Sequence, residues 1–293
     1  MDERIYMEKV EEVLTLYPKK YSTNYNINKT TIQFEKIVEE FKGTLGQYDP
    51  ELNKIIYSKN SAISHELFHM AFNDRKKLNS EMYKGLYYSN GVSFYKYSDE
   101  KKHFFAKGIN EGFADYLAQK CEQNDNILFE LFFTELFVSI YGESVISYAL
   151  DNDPIGFLTD ERFFDIEGLI INLDNLYDVE ECMVVMSNFK ELFSKKNKSK
   201  DIDNEIMSLK NSIENKFKNS IINLFNNIIN EFNNCEVPFI TNHGLLKKMT
   251  NFLTDTKYKF AFNLDDENCS VKKEVSFIIN EFEESIKSKK YVL

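Results

Sequence analysis

The segment Ser64-His65-Glu66-Leu67-Phe68-His69-Met70 sets two histidines four residues apart, with a glutamate directly after the first. On a helix, residues four apart lie one turn above each other on the same face. Two imidazoles so placed can share one metal ion through bonds of about 2.0–2.1 Å. Glu66 sits about 100° further round the helix than His65, so it can reach a water on that ion without being a ligand. The pattern is H-E-x-x-H, whose chemistry is zinc held by the histidines and a glutamate general base in metal-assisted hydrolysis. Only 4 histidines occur in the chain, and two of them bracket this glutamate. Ile63, Leu67, Phe68 and Met70 around them give the helix a face to bury.

A catalytic zinc takes three protein ligands and leaves a fourth position open. Asn110-Glu111-Gly112-Phe113-Ala114-Asp115-Tyr116-Leu117 offers the third on a second expected helix. Glu111 and Asp115 are four apart and share a face. One carboxylate can bind the ion. The other can accept the remaining N–H of a ligating imidazole, fixing its tautomer and raising its basicity. The neighbours Gly112, Phe113, Ala114, Leu117 and Ala118 are small or apolar, which makes this a packed helix. Buried acids need a cation or a donor as partner.

Together, His65-Glu66-x-x-His69 and Asn110-Glu111-x-x-x-Asp115 resemble the gluzincin metallopeptidases, the group that includes the thermolysin-like enzymes. The resemblance implies one zinc ion per chain, held by His65, His69 and Glu111, with Glu66 activating the zinc-bound water. It implies that Asp115 orients His65 and that Asn110 is a structural neighbour of the site. A metzincin would need a further histidine soon after His69, with a glycine between, but the next histidine is His103. More narrowly, Tyr48-Asp49-Pro50, Asn53-Lys54-Ile55-Ile56-Tyr57, the H-E-x-x-H helix and Gly108-Ile109-Asn110-Glu111-Gly112 look like small gluzincin-like proteins of low-GC bacteria and their mobile elements. That similarity spans about residues 44 to 122, with a weaker echo to about 175. The chain departs from thermolysin-like enzymes in an extra hairpin between His69 and Glu111. It also has no matching catalytic histidine downstream. Tyr87, Tyr88, Tyr95, His103 and His243 are the candidate donors to a developing oxyanion, none of them singled out.

The elements that must carry these residues follow from periodicity. Ile5, Val10, Val13, Leu14 and Tyr17 predict a helix over 4–17, ended by Pro18. Thr30 with Gln33 reads as a capping box opening a helix through Phe34, Ile37, Val38 and Phe41. A hairpin of Leu45–Tyr48 and Lys54–Ser58 follows, turning at 49–53. Ser61 is expected to cap the H-E-x-x-H helix. Ser89-Asn90-Gly91 marks a second hairpin within Tyr83–Tyr97, and Gly108 opens the second motif helix. Beyond residue 123 the pattern is helical: Ile127–Tyr141, apolar almost all round, then Glu180–Phe193, Ile202–Phe232 and Val271–Ile286. The Ile202–Phe232 run has a mean apolar step of about 3.75 residues, which suits one amphipathic helix packed on its own domain rather than a dimeric zipper. Ser194–Asp203 is the expected loose connection. The fold expected is therefore α+β and mostly helical, with a small antiparallel sheet beside two zinc-binding helices and an all-helical C-terminal region. The domains expected are 1–122 and 123–293.

Composition narrows the function classes. With 293 residues, 43% apolar and 28% charged, the chain can build a sizeable core. With a net charge of -11, the basic surface a nucleic-acid partner usually needs is not evident, and the short cluster Lys195, Lys196, Lys198 and Lys200 reads as solvated surface. The amino-acid usage, rich in Phe, Tyr, Asn, Lys and Ile, is that of an AT-rich bacterial genome. Cys121, Cys182, Cys235 and Cys269 form no C-x-x-C pair and read as free thiols in a reducing compartment. Residues 1–8 lack the basic and apolar regions of a signal peptide, and no apolar run reaches the length of a membrane span. The expected protein is cytoplasmic and acts on a peptide or protein substrate, without a nucleic-acid or membrane partner; its oligomeric state is open. Two other readings accompany the general metalloendopeptidase. One is a dedicated regulatory protease, or a partner-binding protein on the same fold, with little general activity. The other is a non-enzymatic module with structural zinc, which ordinarily has a fourth protein ligand that neither motif supplies.

Overall fold

In a computed structural model of the chain, the described residues are 3–17, 22–37, 45–73, 77–80, 85–98, 101–121, 129–193, 200–254 and 270–289. They divide into two units, 1–126 with 143–160 and 127–142 with 161–293. The fold is α+β and mostly helical, as the sequence predicts.

In the first unit, helix α1 (Arg4–Leu14) buries Val10, Val13 and Leu14. Helix α2 (Ser22–Lys29) had no expectation attached to it. The expected helix from Thr30 through Phe41 is not formed. Gln33–Lys36 is instead a strand, β1, while Val38 and Phe41 lie outside the described residues. The Thr30-x-x-Gln33 pattern follows the end of α2, where Thr31 N–H bonds Asn28 C=O. Pairing with a neighbouring strand then overrides the local capping signal.

Strands β2 (Gly46–Asp49) and β3 (Lys54–Tyr57) form the expected hairpin. Asp49 Oδ1 accepts the N–H groups of Glu51 and Leu52 at 2.9 and 3.1 Å, an Asx turn. Asn53 closes the turn in the left-handed region with φ 50°. The sheet order is β1-β3-β2: β1 runs parallel to β3, β2 antiparallel, and β2 is an outer strand. Ile55 and Tyr57 of β3 are buried.

A single 3-10 turn (Asn60–Ala62) leads into α3 (Ile63–Phe72). The expected cap at Ser61 is not made: the capping position falls on Ala62, which has no side-chain cap. Every residue of α3 is buried, so the helix is fixed by packing on all sides rather than by its ends. Between α3 and the next helix, β4 (Lys77–Ser80), β5 (Gly85–Asn90), β6 (Ser93–Ser98) and β7 (Lys101–Phe105) form an antiparallel meander in chain order. The expected hairpin is its β5–β6 pair. Its turn is Gly91-Val92, with Asn90 opposite Ser93 and Gly91 at φ 65°. Helix α4 (Lys107–Gln119) starts after Ala106, itself at φ 60°, and packs against α3 and β6.

The two units do not coincide with the expected division at 122/123, because the chain leaves the first unit and returns to it. Helix α5 (Phe129–Tyr141) belongs to the second unit, while α6 (Ser147–Leu150) and α7 (Pro154–Leu158) belong to the first. Apolar packing holds the returning segment: Val145, Ile146, Ala149, Leu150 and Phe157 are buried, and Phe157 meets Phe113 of α4 edge to face at 5.9 Å. Glu143 accepts hydrogen bonds from Tyr17 (3.0 Å), Tyr116 (3.0 Å) and Lys120 (2.6 Å), joining this segment to α4 and the end of α1.

The second unit is helical: α5, α8 (Ile166–Phe193), α9 (Lys200–Asn234), α10 (Asn242–Thr254) and α11 (Ser270–Lys289). Helix α9 is one continuous amphipathic helix, as its apolar step predicts, with Ile213, Phe217, Ile221, Phe225, Ile228 and Phe232 buried. It contains Lys200–Asp203 of the expected connection; residues 194–199 lie outside the described residues. The Phe129, Phe132, Phe133, Phe217, Phe225 and Phe252 rings pack at centroid distances of 5.1 to 6.3 Å. Buried Glu231 of α9 accepts the Tyr141 hydroxyl and the N–H groups of Phe164 (2.9 Å) and Asp165 (2.7 Å), tying α5, α9 and the entry of α8 together. Among the described residues no helix is long and apolar enough to cross a membrane.

Candidate metal centre

Helices α3 and α4 bring the expected residues together. His69 Nε2 is 2.9 Å from His65 Nε2, and Glu111 Oε2 is 3.1 Å from each of them. These three atoms form a triangle with a circumradius of about 1.75 Å, shorter than the ~2.0–2.1 Å of a zinc–nitrogen bond. One ion could therefore be held by all three atoms at once. His65, His69 and Glu111 would hold such an ion as a three-ligand set, the number that catalytic zinc takes from the protein. His65, His69 and Glu111 are the group among the described residues able to hold a metal ion.

The surroundings suit a cation. His65 Nδ1 lies 2.6 Å from Asp115 Oδ1, which holds the ring as the Nδ1–H tautomer and leaves Nε2 for a metal. His65, Glu66, His69 and Asp115 are all buried. Burial opposes a charge on His65, but the Asp115 carboxylate and bonds to Asp115 and Glu111 outweigh it and hold its pKa well above the usual value. Burial likewise opposes charge on Glu111, yet the two imidazoles hold it well below the usual carboxylate range. Three buried or half-buried acids around two imidazoles stabilise positive charge at the donor triangle, whether it is carried by a proton or by a metal. The Glu111 side chain is 21% exposed against 9% for each histidine, so it is the most solvent-accessible of the three.

Glu66 contributes no atom to the donor triangle, and its carboxylate lies against the outer strand β2. The Tyr48 backbone N–H donates to its carboxylate. Burial raises the Glu66 pKa, the imidazoles of His65 and His69 counter this, and the net direction is upward. The strand comes this close because residue 46 is glycine: a Cβ there would lie 2.8 Å from Ala62 Cβ and 3.1 Å from Glu66 Oε1.

Asn110 does not touch the donor triangle. Its Oδ1 accepts the Val92 N–H at 3.1 Å, and a Cβ on Gly91 would stand 2.2 Å from that oxygen. The Gly91 N–H in turn reaches Phe72 C=O at 3.4 Å. Asn110 thus pins the β5–β6 turn against both motif helices. Of the candidate oxyanion donors, the side chains of Tyr87, Tyr88, Tyr95 and His103 lie outside the described residues. His243 is exposed on α10 of the second unit. Cys121, just beyond α4, is buried, and burial pushes its thiol up to about 11 despite a bond with Ser64, so it is inert.

Sequence reasoning missed Gly46, Asn28 and Asn73, and it singled out Tyr48 and Asn53 as parts of the resemblance without giving them a role at the site. Asn is abundant in the chain, so no single one stands out. Asn53 was read as the end of the β2–β3 turn and as part of the resemblance, not as a hydrogen-bonding partner of Tyr48.

Asp115→Asn keeps the shape of the side chain and removes its charge. It is expected to weaken metal affinity about 10–100-fold, read by competition with a chromophoric chelator. An unchanged affinity would remove Asp115 from the site.

No protein-family profile, curated protein or solved structure matches this chain.

Proposed function

We propose that the chain is a zinc-dependent peptidase that hydrolyses peptide bonds, with zinc held by His65, His69 and Glu111 and Glu66 as general base. The observation that carries this reading is the donor triangle itself, three mutually close ligand atoms on two packed helices. The adjoining glutamate, which contributes no atom to that triangle, completes it. Two nitrogens and one carboxylate oxygen, with no fourth His, Cys, Asp or Glu in the group among the described residues, match the ligand set of catalytic rather than structural zinc.

When bound there, zinc supplies a Lewis acid and lowers the pKa of a water from 15.7 to about 7. The Glu66 carboxylate accepts a proton as the water oxygen adds to the scissile carbonyl carbon. It returns that proton to the amide nitrogen as the C–N bond breaks. Asp115 keeps His65 in the required tautomer throughout. Strand β2, the outer strand of its sheet and directly above Glu66, is suited to hold an extended substrate as an added strand.

The test is incubation of the zinc-loaded protein with a mixture of unstructured peptides, followed by mass spectrometry. New termini that vanish on chelation support the reading, and their number measures whether the enzyme is general or dedicated to one target. Absence of cleavage of peptides and folded proteins alike, with one zinc bound per chain, would make the site structural.

A further inference from the structure

Asn28, Tyr48, Asn53 and Asn73 are all buried in the first unit. Their hydrogen bonds close a ring. Asn73 Nδ2 donates to the Tyr48 hydroxyl at 3.2 Å, and that hydroxyl donates to Asn53 Oδ1 at 3.0 Å. Asn53 Nδ2 donates to the Asn28 carbonyl at 2.7 Å, and Asn28 Nδ2 donates back to the Asn73 carbonyl at 2.8 Å. Two side branches extend it. Asn53 Nδ2 also reaches Thr31 Oγ1 at 2.9 Å, and Asn28 Nδ2 reaches Met70 C=O at 3.1 Å, the carbonyl next after His69. The ring therefore joins the end of α2, strand β2, the β2–β3 turn and the C-terminal end of α3.

A buried polar ring gives little net stability over apolar packing, because each group gives up water to enter it. What it supplies is a defined geometry. Here that geometry is the separation between β2 and α3. Tyr48 is the common member: its side chain belongs to the ring and its backbone N–H belongs to Glu66. Two residues earlier, Gly46 removes the Cβ that would collide with Ala62 and Glu66. The strand is thus anchored at Tyr48 and relieved at Gly46.

We propose that Tyr48 is a positioning residue for Glu66, with the Asn28–Asn53–Tyr48–Asn73 ring holding β2 at the depth where the Tyr48 N–H meets the Glu66 carboxylate. This rests on the reading of Glu66 as general base. Loss of the Tyr48 hydroxyl removes two bonds of the ring, to Asn53 Oδ1 and from Asn73 Nδ2, and the strand shifts while the metal ligands stay in place.

The test compares Tyr48→Phe, and Asn73→Ala as a second variant, with Tyr25→Phe. The last loses a comparable hydroxyl bond, to the Met7 carbonyl at 3.2 Å, away from the ring. In both ring variants zinc content is expected to stay at the native level. Turnover per bound zinc is expected to fall about tenfold or more, with KM changed less than about threefold, as for a misplaced catalytic group. Hydrogen exchange at the Tyr48 amide is expected to speed up about tenfold or more. Tyr25→Phe should change neither. Native turnover per zinc together with native Tyr48 exchange in a ring variant would overturn the proposal. If the native zinc-loaded protein cleaves nothing, the peptidase reading fails. The exchange measurement then still decides the ring: faster exchange supports its hold on the strand, and unchanged exchange overturns it.

Discussion

Glu66→Gln is expected to keep its zinc and lose hydrolysis by roughly 10²–10⁴-fold, the usual contribution of a positioned general base. The substitution preserves volume, and Glu66 contributes no atom to the donor triangle, so metal binding has no reason to change. In the proposed mechanism, what disappears is the group that takes a proton from the attacking water. In that mechanism the same residue contributes to the acid limb of the pH profile. Burial displaces its pKa upward from the usual value. The carboxylate therefore protonates at higher pH than a solvated glutamate, and activity should be lost as pH falls through a value above the ordinary ~4.3. Full activity in Glu66→Gln would end its assignment as base.

Zinc added to the metal-free protein is expected to raise the thermal midpoint of the first unit. At free zinc about 1,000-fold above Kd, one site adds about 4.1 kcal/mol. His65→Ala should abolish that increment. The absolute midpoint of this variant is a poor guide, because removing the imidazole takes away a partner of buried Asp115, at a cost of about 1–3 kcal/mol. The zinc-dependent shift is the informative quantity, measured by calorimetry with and without chelator. A full shift in His65→Ala would mean that the ion binds elsewhere.

The parts of this protein that were legible in the sequence are those set by helical spacing. His65, Glu66 and His69, and then Glu111 and Asp115, are constellations within a single turn, so the 3.6-residue period alone brings each set together. The structure adds the step that spacing could not give, the packing of α3 on α4 that closes the donor triangle. The β2–β3 hairpin was legible because its turn chemistry is local. Strand β1 was not, because the residues that make it a strand belong to β3, about twenty positions away. Strands β4 and β7 escaped for a related reason: each is defined by pairing within the meander rather than by its own pattern. The returning segment 143–160 was hidden for another reason, since helical periodicity reports that a helix has a buried face but not which unit buries it. The asparagine ring is the extreme case. Its four members come from α2, β2, a turn and the end of α3, and none of them has a signature apart from the others.

The most direct test of the three-ligand centre is elemental analysis of the purified, metal-replete protein beside Glu111→Ala. The geometry predicts one zinc per chain in the native protein and a sharp loss in the variant, because two imidazoles alone leave the ion without its only carboxylate ligand. Zinc retained at full stoichiometry in Glu111→Ala, or none in the native protein, would contradict the assignment of His65, His69 and Glu111 as the metal-binding set.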